Sequence, residues 1–177
     1  MIETPRLLLR EYTFADTSAL HRILSDSETM KFWPRPFTEA DTKSWLERAI
    51  PSYAINGFGR WAVVLRETGE QIGDVGPMRT EVNGKPEVDL GYIIHYAYWH
   101  IGFGLEAARV ALQFGIEAGC ERIIANMAHD HIASQRVAEK LGMIKEREYT
   151  NARNRGILTY LYVFDSVPDV TAARTAS

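Results

Sequence analysis

Residues 88–118 read VDLGYIIHYAYWHIGFGLEAARVALQFGIEA, and this stretch decides how the chain folds. Val88 to Ile94 is an apolar run that reads as a strand. Gly102-Phe103-Gly104 is a tight turn, and beyond it Glu106, Arg109, Gln113 and Glu117 recur at spacings of three, four and four. That is one wet stripe on an otherwise buried helix, which Gly119 ends. Arg122 to Met127 reads as the next strand, completing a strand–helix–strand unit whose two strands are expected to be parallel. A glycine turn between strand and helix also presents unpaired backbone N–H groups to a phosphate.

Upstream lie three strands, Arg60 to Arg66, Gln71 to Met78 and Val88 to His95, with turns at Glu67–Glu70 and Asn83-Gly84. They read as an antiparallel meander, with Gly73 and Gly76 weakening its middle strand. Before them come a first strand, Leu7 to Arg10, and a helix capped by Thr13 with Asp16 and carrying Leu20, Ile23 and Leu24. The prolines of Phe32–Phe37 preclude a helix there. Thr38 with Asp41 then starts a second helix carrying Trp45, Leu46 and Ala49 and ending near Pro51 or Asn56. Downstream, a short helix from Ile132 to Leu141 is closed by Gly142. Strands Met143–Tyr149 and Thr159–Phe164 follow, joined by the polar segment Asn151–Gly156. The fold class is α/β of the α+β type: a mixed, mostly antiparallel, twisted sheet with flanking helices. Residues 1–166 form one domain and residues 167–177 a flexible tail.

Composition narrows the function. The 177 residues, 46% hydrophobic and 24% charged, suit one soluble globular domain. No apolar run approaches the roughly 20 residues of a membrane span, and the start, MIETPRLLLREY, lacks a signal-peptide core. The single cysteine, Cys120, allows no internal disulfide and reads as a small buried hydrophobe, which points to the cytoplasm. Net charge is -3 without a basic run, so neither nucleic acid nor a membrane surface is an expected partner. Mild acidity weakly favours a cationic substrate. His129-Asp130-His131 has no third ligand cluster beside it, so no metal is expected; Asp130 reads as a helix cap.

The glycine turn fits two ligands. Gly102-x-Gly104-x-x-Ala107 matches the dinucleotide fingerprint, but that motif belongs to the first strand of a repeated strand–helix series. Here three antiparallel strands come first, and Glu121 lies at the start of its strand rather than the end. No Lys-Ser/Thr pair follows the glycines, which excludes a nucleotide-triphosphate loop.

The chain resembles the GNAT superfamily of acyl-CoA-dependent N-acetyltransferases, and within it the branch that acetylates ribosomal-protein N-termini. The resemblance rests on Trp99-His100-Ile101-Gly102-Phe103-Gly104 followed by Glu106-Ala107 and preceded by Gly91-Tyr92. It extends to the opening Thr4-Pro5-Arg6-Leu7-Leu8-Leu9-Arg10, and to His131-Ile132-Ala133-Ser134 followed by Glu139-Lys140-Leu141-Gly142-Met143. It runs in order from Thr4 to Phe164. Three residues depart from the pattern: His131 stands where the family has Asn, Ile101 where a basic residue is frequent, and Met143 where Phe is usual.

The resemblance implies a single GNAT-like domain whose splayed strand pair, Val88–Ile94 and Arg122–Met127, takes acetyl-CoA as acyl donor. The implied donor-binding set is Ile93, Ile94, Trp99, His100, Ile101, Gly102, Phe103, Gly104, His131 and Ser134. A backbone N–H at a strand bulge near Ile93 or Ile94 would hold the thioester oxygen. The acceptor is a primary amine, on a protein N-terminus or a small molecule. A lysine-like amine is neutral only about once in a few thousand at pH 7, so a base is useful. Asp89 ranks first, ahead of Glu87 and His95; its plainer reading is a solvated strand charge. Ser134 is the candidate to protonate the leaving thiolate, or else only a residue of a helix's first turn. Phe32 and Trp33 fall where the branch forms one wall of the acceptor site. A monomer or homodimer is expected, and the alternative function is a catalytically weak acyl-CoA-binding regulatory domain.

Overall fold

The computed structural model describes residues 1–165, so the expected tail at 167–177 lies outside the described residues. Eight strands and four helices follow one another along the described chain. β1 is Ile2–Glu3, β2 Leu7–Glu11, α1 Thr17–Leu24, α2 Glu39–Asn56, β3 Trp61–Leu65, β4 Gln71–Val82 and β5 Lys85–Ile94. α3 is Phe103–Glu117, β6 Arg122–Ala128, α4 Ile132–Lys140, β7 Ile144–Asn151 and β8 Ile157–Asp165. The strands form one sheet in the order β1-β2-β3-β4-β5-β6-β8-β7.

Every neighbouring pair is antiparallel except β5 and β6, the pair joined through α3. The meander β3-β4-β5 is as expected, and its last turn uses Asn83 and Gly84, both with positive φ. The glycines of β4 do more than weaken it. A Cβ on Gly76 would stand 2.1 Å from the Gly59 carbonyl oxygen, and one on Gly73 2.5 Å from that of Ile93. Only glycine lets the backbones pass so closely.

β3 is apolar throughout because both faces are covered. Trp61 and Val63 pack in the core under α3, while Ala62 and Val64 pack with Leu20, Ile23 and Leu24 of α1 and Leu46 and Ala49 of α2. α3 contributes the small residues Ala107, Ala108, Ala111 and Gly115, so it lies close to the sheet; a Cβ on Gly115 would come within 2.8 Å of Ile123 Cδ1. Asp16 accepts from the Thr13 N–H, but the first turn is 3-10, so α1 begins only at Thr17. α2 runs through Pro51 and stops at Asn56, where Gly57 adopts the left-handed conformation.

Candidate active site

β5 and β6 touch at a single register point, Asp89 against Ile124. Beyond it the strands part. Leu90 to Ile93 and Ala125 to Ala128 line the two walls of a cleft of about 570 Å³. The strands part without the expected bulge: β5 keeps unbroken register with β4 from Lys85 to Ile94.

The backbone of β5 alternates in direction. His95 donates to the Ile72 carbonyl in β4, while the Ile94 carbonyl accepts instead from Trp99 Nε1 at 2.6 Å. By that alternation Ile93 turns its N–H toward β4, whereas Ile94 and Tyr92 turn theirs toward the gap. Of the two strand positions considered for the thioester oxygen, Ile94 is the one with a backbone donor on the open side.

Asp89 faces the cleft and is only partly accessible to solvent. Loss of hydration pushes its carboxyl up to about 6, although Arg60 and Asn126 pull the other way. Asn126 Nδ2 donates to Asp89 Oδ1 at 3.3 Å, and Tyr149 donates to Asn126 Oδ1 at 3.1 Å. The other two base candidates are placed elsewhere. Glu87 is ion-paired with Arg122 at 3.1 Å, and His95 faces a separate small hollow with Arg22, Glu70 and Tyr98.

Arg60 supports the cleft from below. It is 3% exposed, ion-paired with Asp74, and its Nη1 donates to the Gly76 carbonyl at 3.2 Å. Tyr12 donates to the same Asp74 at 3.0 Å. The guanidinium crosses β5 at Gly91, where a Cβ would lie 1.8 Å from Nη1. This gives the Gly of the Gly91-Tyr92 pair a physical reason.

Ser134 is buried in the first turn of α4 and lines the cleft. The Tyr92 hydroxyl donates to the Ser134 carbonyl at 2.9 Å. Its single proton is then committed, so at 2.9 Å it accepts from Ser134 Oγ. Burial raises the Tyr92 pKa, which keeps the phenol protonated. His131 also lines the cleft, stacked on Phe32 at 3.7 Å between ring centroids. Burial lowers its pKa to about 4, so it is neutral at pH 7. Trp33 lines the same cleft, so both expected acceptor-side aromatics are there.

Ile94 and Trp99–Gly104 are not among the residues lining this cleft; the turn lies at the start of α3, tied back to the end of β5 by the Trp99 Nε1 bond to the Ile94 carbonyl. His100 and Gly102 have positive φ, and Gly102 occupies the N-cap position of α3 without a side-chain cap. The first helical bond is Glu106 N–H to the Gly102 carbonyl. The N–H groups of Phe103, Gly104 and Leu105 therefore have no intrahelical acceptor and remain for an outside anion. Arg6 and Thr4 brace the turn. Arg6 pairs with Glu106 at 2.6 Å, donates to the Ile101 carbonyl at 2.9 Å and lies 4.5 Å over the Phe103 ring; Thr4 donates to Glu106 at 2.6 Å. Ile101 itself is 52% exposed.

Tyr92, Asn126, Tyr149 and Arg60 received no role from the sequence. Tyr92 had a signal, since it stands in a motif pair one residue from Gly91. The others had none, because each joins the site through partners distant in sequence. No helix of the described residues is long and apolar enough to cross a membrane, and no group of three His, Cys, Asp or Glu side chains among them is placed to hold a metal.

This architecture has relatives. The family described as the acetyltransferase (GNAT) domain matches residues 6–144. An uncharacterized N-acetyltransferase of Bacillus subtilis, YnaD, is 33% identical over 147 residues, covering 82% of this chain and 83% of that protein. Among solved structures, a GNAT-family acetyltransferase from Bacillus anthracis superposes with a TM-score of 0.76 at 28% identity, over 93% of this chain and 97% of that one. RimL, a ribosomal-protein alpha-N acetyltransferase solved with coenzyme A, shares the fold with a TM-score of 0.75 at 17% identity, over 92% and 95%.

Proposed function

Since the chain belongs to the GNAT acetyltransferase family, we propose that it moves an acetyl group from acetyl-CoA to a primary amine by direct attack of the amine on the thioester. The observation that carries the reading is the parting of β5 and β6, which leaves Asp89 and Ser134 in one cleft, together with the start of α3 that follows β5 without a side-chain cap. Acetyl-CoA supplies an activated acyl carbon and a thiolate leaving group. The residues of the chain supply the rest.

The turn from Trp99 to Gly104 holds the donor's phosphates through backbone N–H groups, with the helix dipole favouring the anion. No side chain at position 101 is needed for that. The Ile94 N–H meets the thioester oxygen as it gains negative charge. Asp89 takes the proton of the ammonium, held in place by Asn126. Ser134, held by its contact with Tyr92, passes its proton to the departing sulfur and regains one, through water, from the acylated nitrogen as it becomes the amide. His131 borders the path of the donor's arm, and Phe32 and Trp33 the acceptor's. Cys120 is not a nucleophile in this scheme.

The test is titration with acetyl-CoA, with NADH as control, followed by thiol release across N-terminal peptides, polyamines, amino acids and aminoglycosides. Saturable acetyl-CoA binding with acceptor-dependent thiol release is expected. NADH binding without acetyl-CoA binding overturns the reading, and acetyl-CoA binding with no thiol release points to the binding domain instead.

A further inference from the structure

Four arginines line the cleft: Arg48 from α2, Arg60 from β3's lead-in, Arg79 from β4 and Arg153 from the β7–β8 loop. Arg60 is neutralised by Asp74. The other three form no ion pair among the described residues. Neutral groups hold them instead. Arg79 Nε donates to Asn56 Oδ1 at 2.9 Å, Arg153 Nη1 donates to the Glu81 carbonyl at 3.1 Å, and Arg48 lies 5.7 Å from the Trp45 ring centroid. Each guanidinium is thus positioned while most of its donors stay unused.

Among the described residues, Asp89 is the sole carboxylate lining this cleft. Three uncompensated guanidinium groups against one carboxylate give the cleft the opposite sign to the chain's net charge of -3. The local field, not the total charge, meets an incoming substrate. The three arginines come from elements other than the α3 turn.

Resting on the acetyl-transfer reading above, we propose that the acceptor is an amine carrying an oxyanion, carboxylate or phosphate, which Arg48, Arg79 and Arg153 seat while Asp89 faces the amine. The cation of the acceptor and its anion meet opposite charges in one cleft. A polyamine would put several positive charges against the arginines and is disfavoured.

Matched acceptors test this by thiol release: β-alanine against its amide, O-phosphoethanolamine against 2-methoxyethylamine, and an N-terminal peptide bearing glutamates against its glutamine counterpart. The anionic member of at least one pair is expected to show kcat/KM tenfold or more above its neutral partner. That ratio should fall toward one in Arg79→Gln/Arg153→Gln. The pairs also separate small molecules from peptides and carboxylate from phosphate. Preference for the neutral members, or for spermidine, overturns the proposal. So does a tenfold rise in the acetyl-CoA KM of the double variant with the acceptor ratio unmoved, because the arginines would then serve the donor. Should no amine be acetylated, tryptophan fluorescence from Trp33 and Trp45 reads the cleft directly. Saturable quenching by O-phosphoethanolamine that the double variant loses supports the anion seat while the transfer reading falls; no quenching overturns both.

Discussion

Replacing Asp89 with asparagine separates catalysis from packing at one atom. The carboxyl is raised from its ordinary value of 3.8 to about 6 by lost hydration. Taking a proton from an ammonium of pKa about 10.4 is therefore about 2 units less uphill than for an ordinary aspartate, roughly 3 kcal/mol. With the base present, the reacting pair is carboxylate plus ammonium. In the native protein kcat/KM should rise about tenfold from pH 5 to pH 7, as the carboxylate fraction grows from about one-tenth to nine-tenths, and then level off. Asp89→Asn must wait for amine that is already neutral, about one molecule in a few thousand at pH 7. Its kcat/KM should be lower by roughly 10²- to 10³-fold at pH 7 and should climb about tenfold per pH unit with no plateau near 6.

Stability moves the other way. Between about pH 4 and 6 the folded protein holds a proton that the unfolded chain releases, so native stability falls as pH rises through that window. The carboxylate then costs up to about 3 kcal/mol at pH 7. The amide of the Asp89→Asn variant would avoid that cost and keep a hydrogen bond to Asn126, so Tm at pH 7 should be unchanged or higher by a few degrees. The assays are thiol release across pH and thermal unfolding at pH 4 and 7. A variant retaining activity within threefold of native, with its pH plateau intact, would refute the assignment.

Three further substitutions probe the neighbouring groups. Ser134→Ala removes the hydroxyl that touches Tyr92 and should lower kcat about tenfold with little change in the KM for acetyl-CoA, and Tyr92→Phe should do the same more mildly; unchanged turnover in Ser134→Ala sinks the proton-donor role. Gly91→Ala places a methyl 1.8 Å from Arg60 Nη1, displacing a guanidinium locked to Asp74. It should cost about 2–4 kcal/mol, read as a Tm drop of roughly 5–15 °C.

The sequence made the fold legible where local rules and tertiary packing agree. Asn83-Gly84, Gly119 and Gly142 punctuate the chain where they should, because each needs a positive φ that the surroundings do not alter. The reading of Gly73 and Gly76 as weak points of β4 is incomplete, because propensity describes a strand alone, while these glycines answer to a neighbouring backbone. The bulge expected near Ile93 or Ile94 is not seen: β5 keeps unbroken register with β4, and its pairing with β6 stops at Asp89. The cleft's charge was hidden for a simpler reason. Net charge sums over the whole surface, whereas Arg48, Arg79 and Arg153 converge from positions far apart in the chain.

That same convergence explains the sequence features that looked weakest or unrelated. Thr4-Pro5-Arg6 and Glu106 read as two separate resemblances, but in the fold they are one device: Arg6 and Thr4 hold the carboxylate of Glu106, and Arg6 also holds the carbonyl of Ile101, so the α3 turn is fixed without a basic residue at 101. His131 in place of Asn likewise reads as a loss when taken alone. Its ring stacks on Phe32, whose carbonyl accepts from Asn154 Nδ2 at 2.8 Å. An amide at 131 has no ring to offer that stack. Phe32, His131 and Asn154 therefore tie the Phe32–Phe37 loop, the α4 start and the β7–β8 loop into one rim, and Arg153 joins that rim to β4 through Glu81. The departure at 131 exchanges an amide for a ring that fixes one wall of the cleft. It follows that His131 and Phe32 should be altered together: the ring at one position has its physical meaning only while the ring at the other remains.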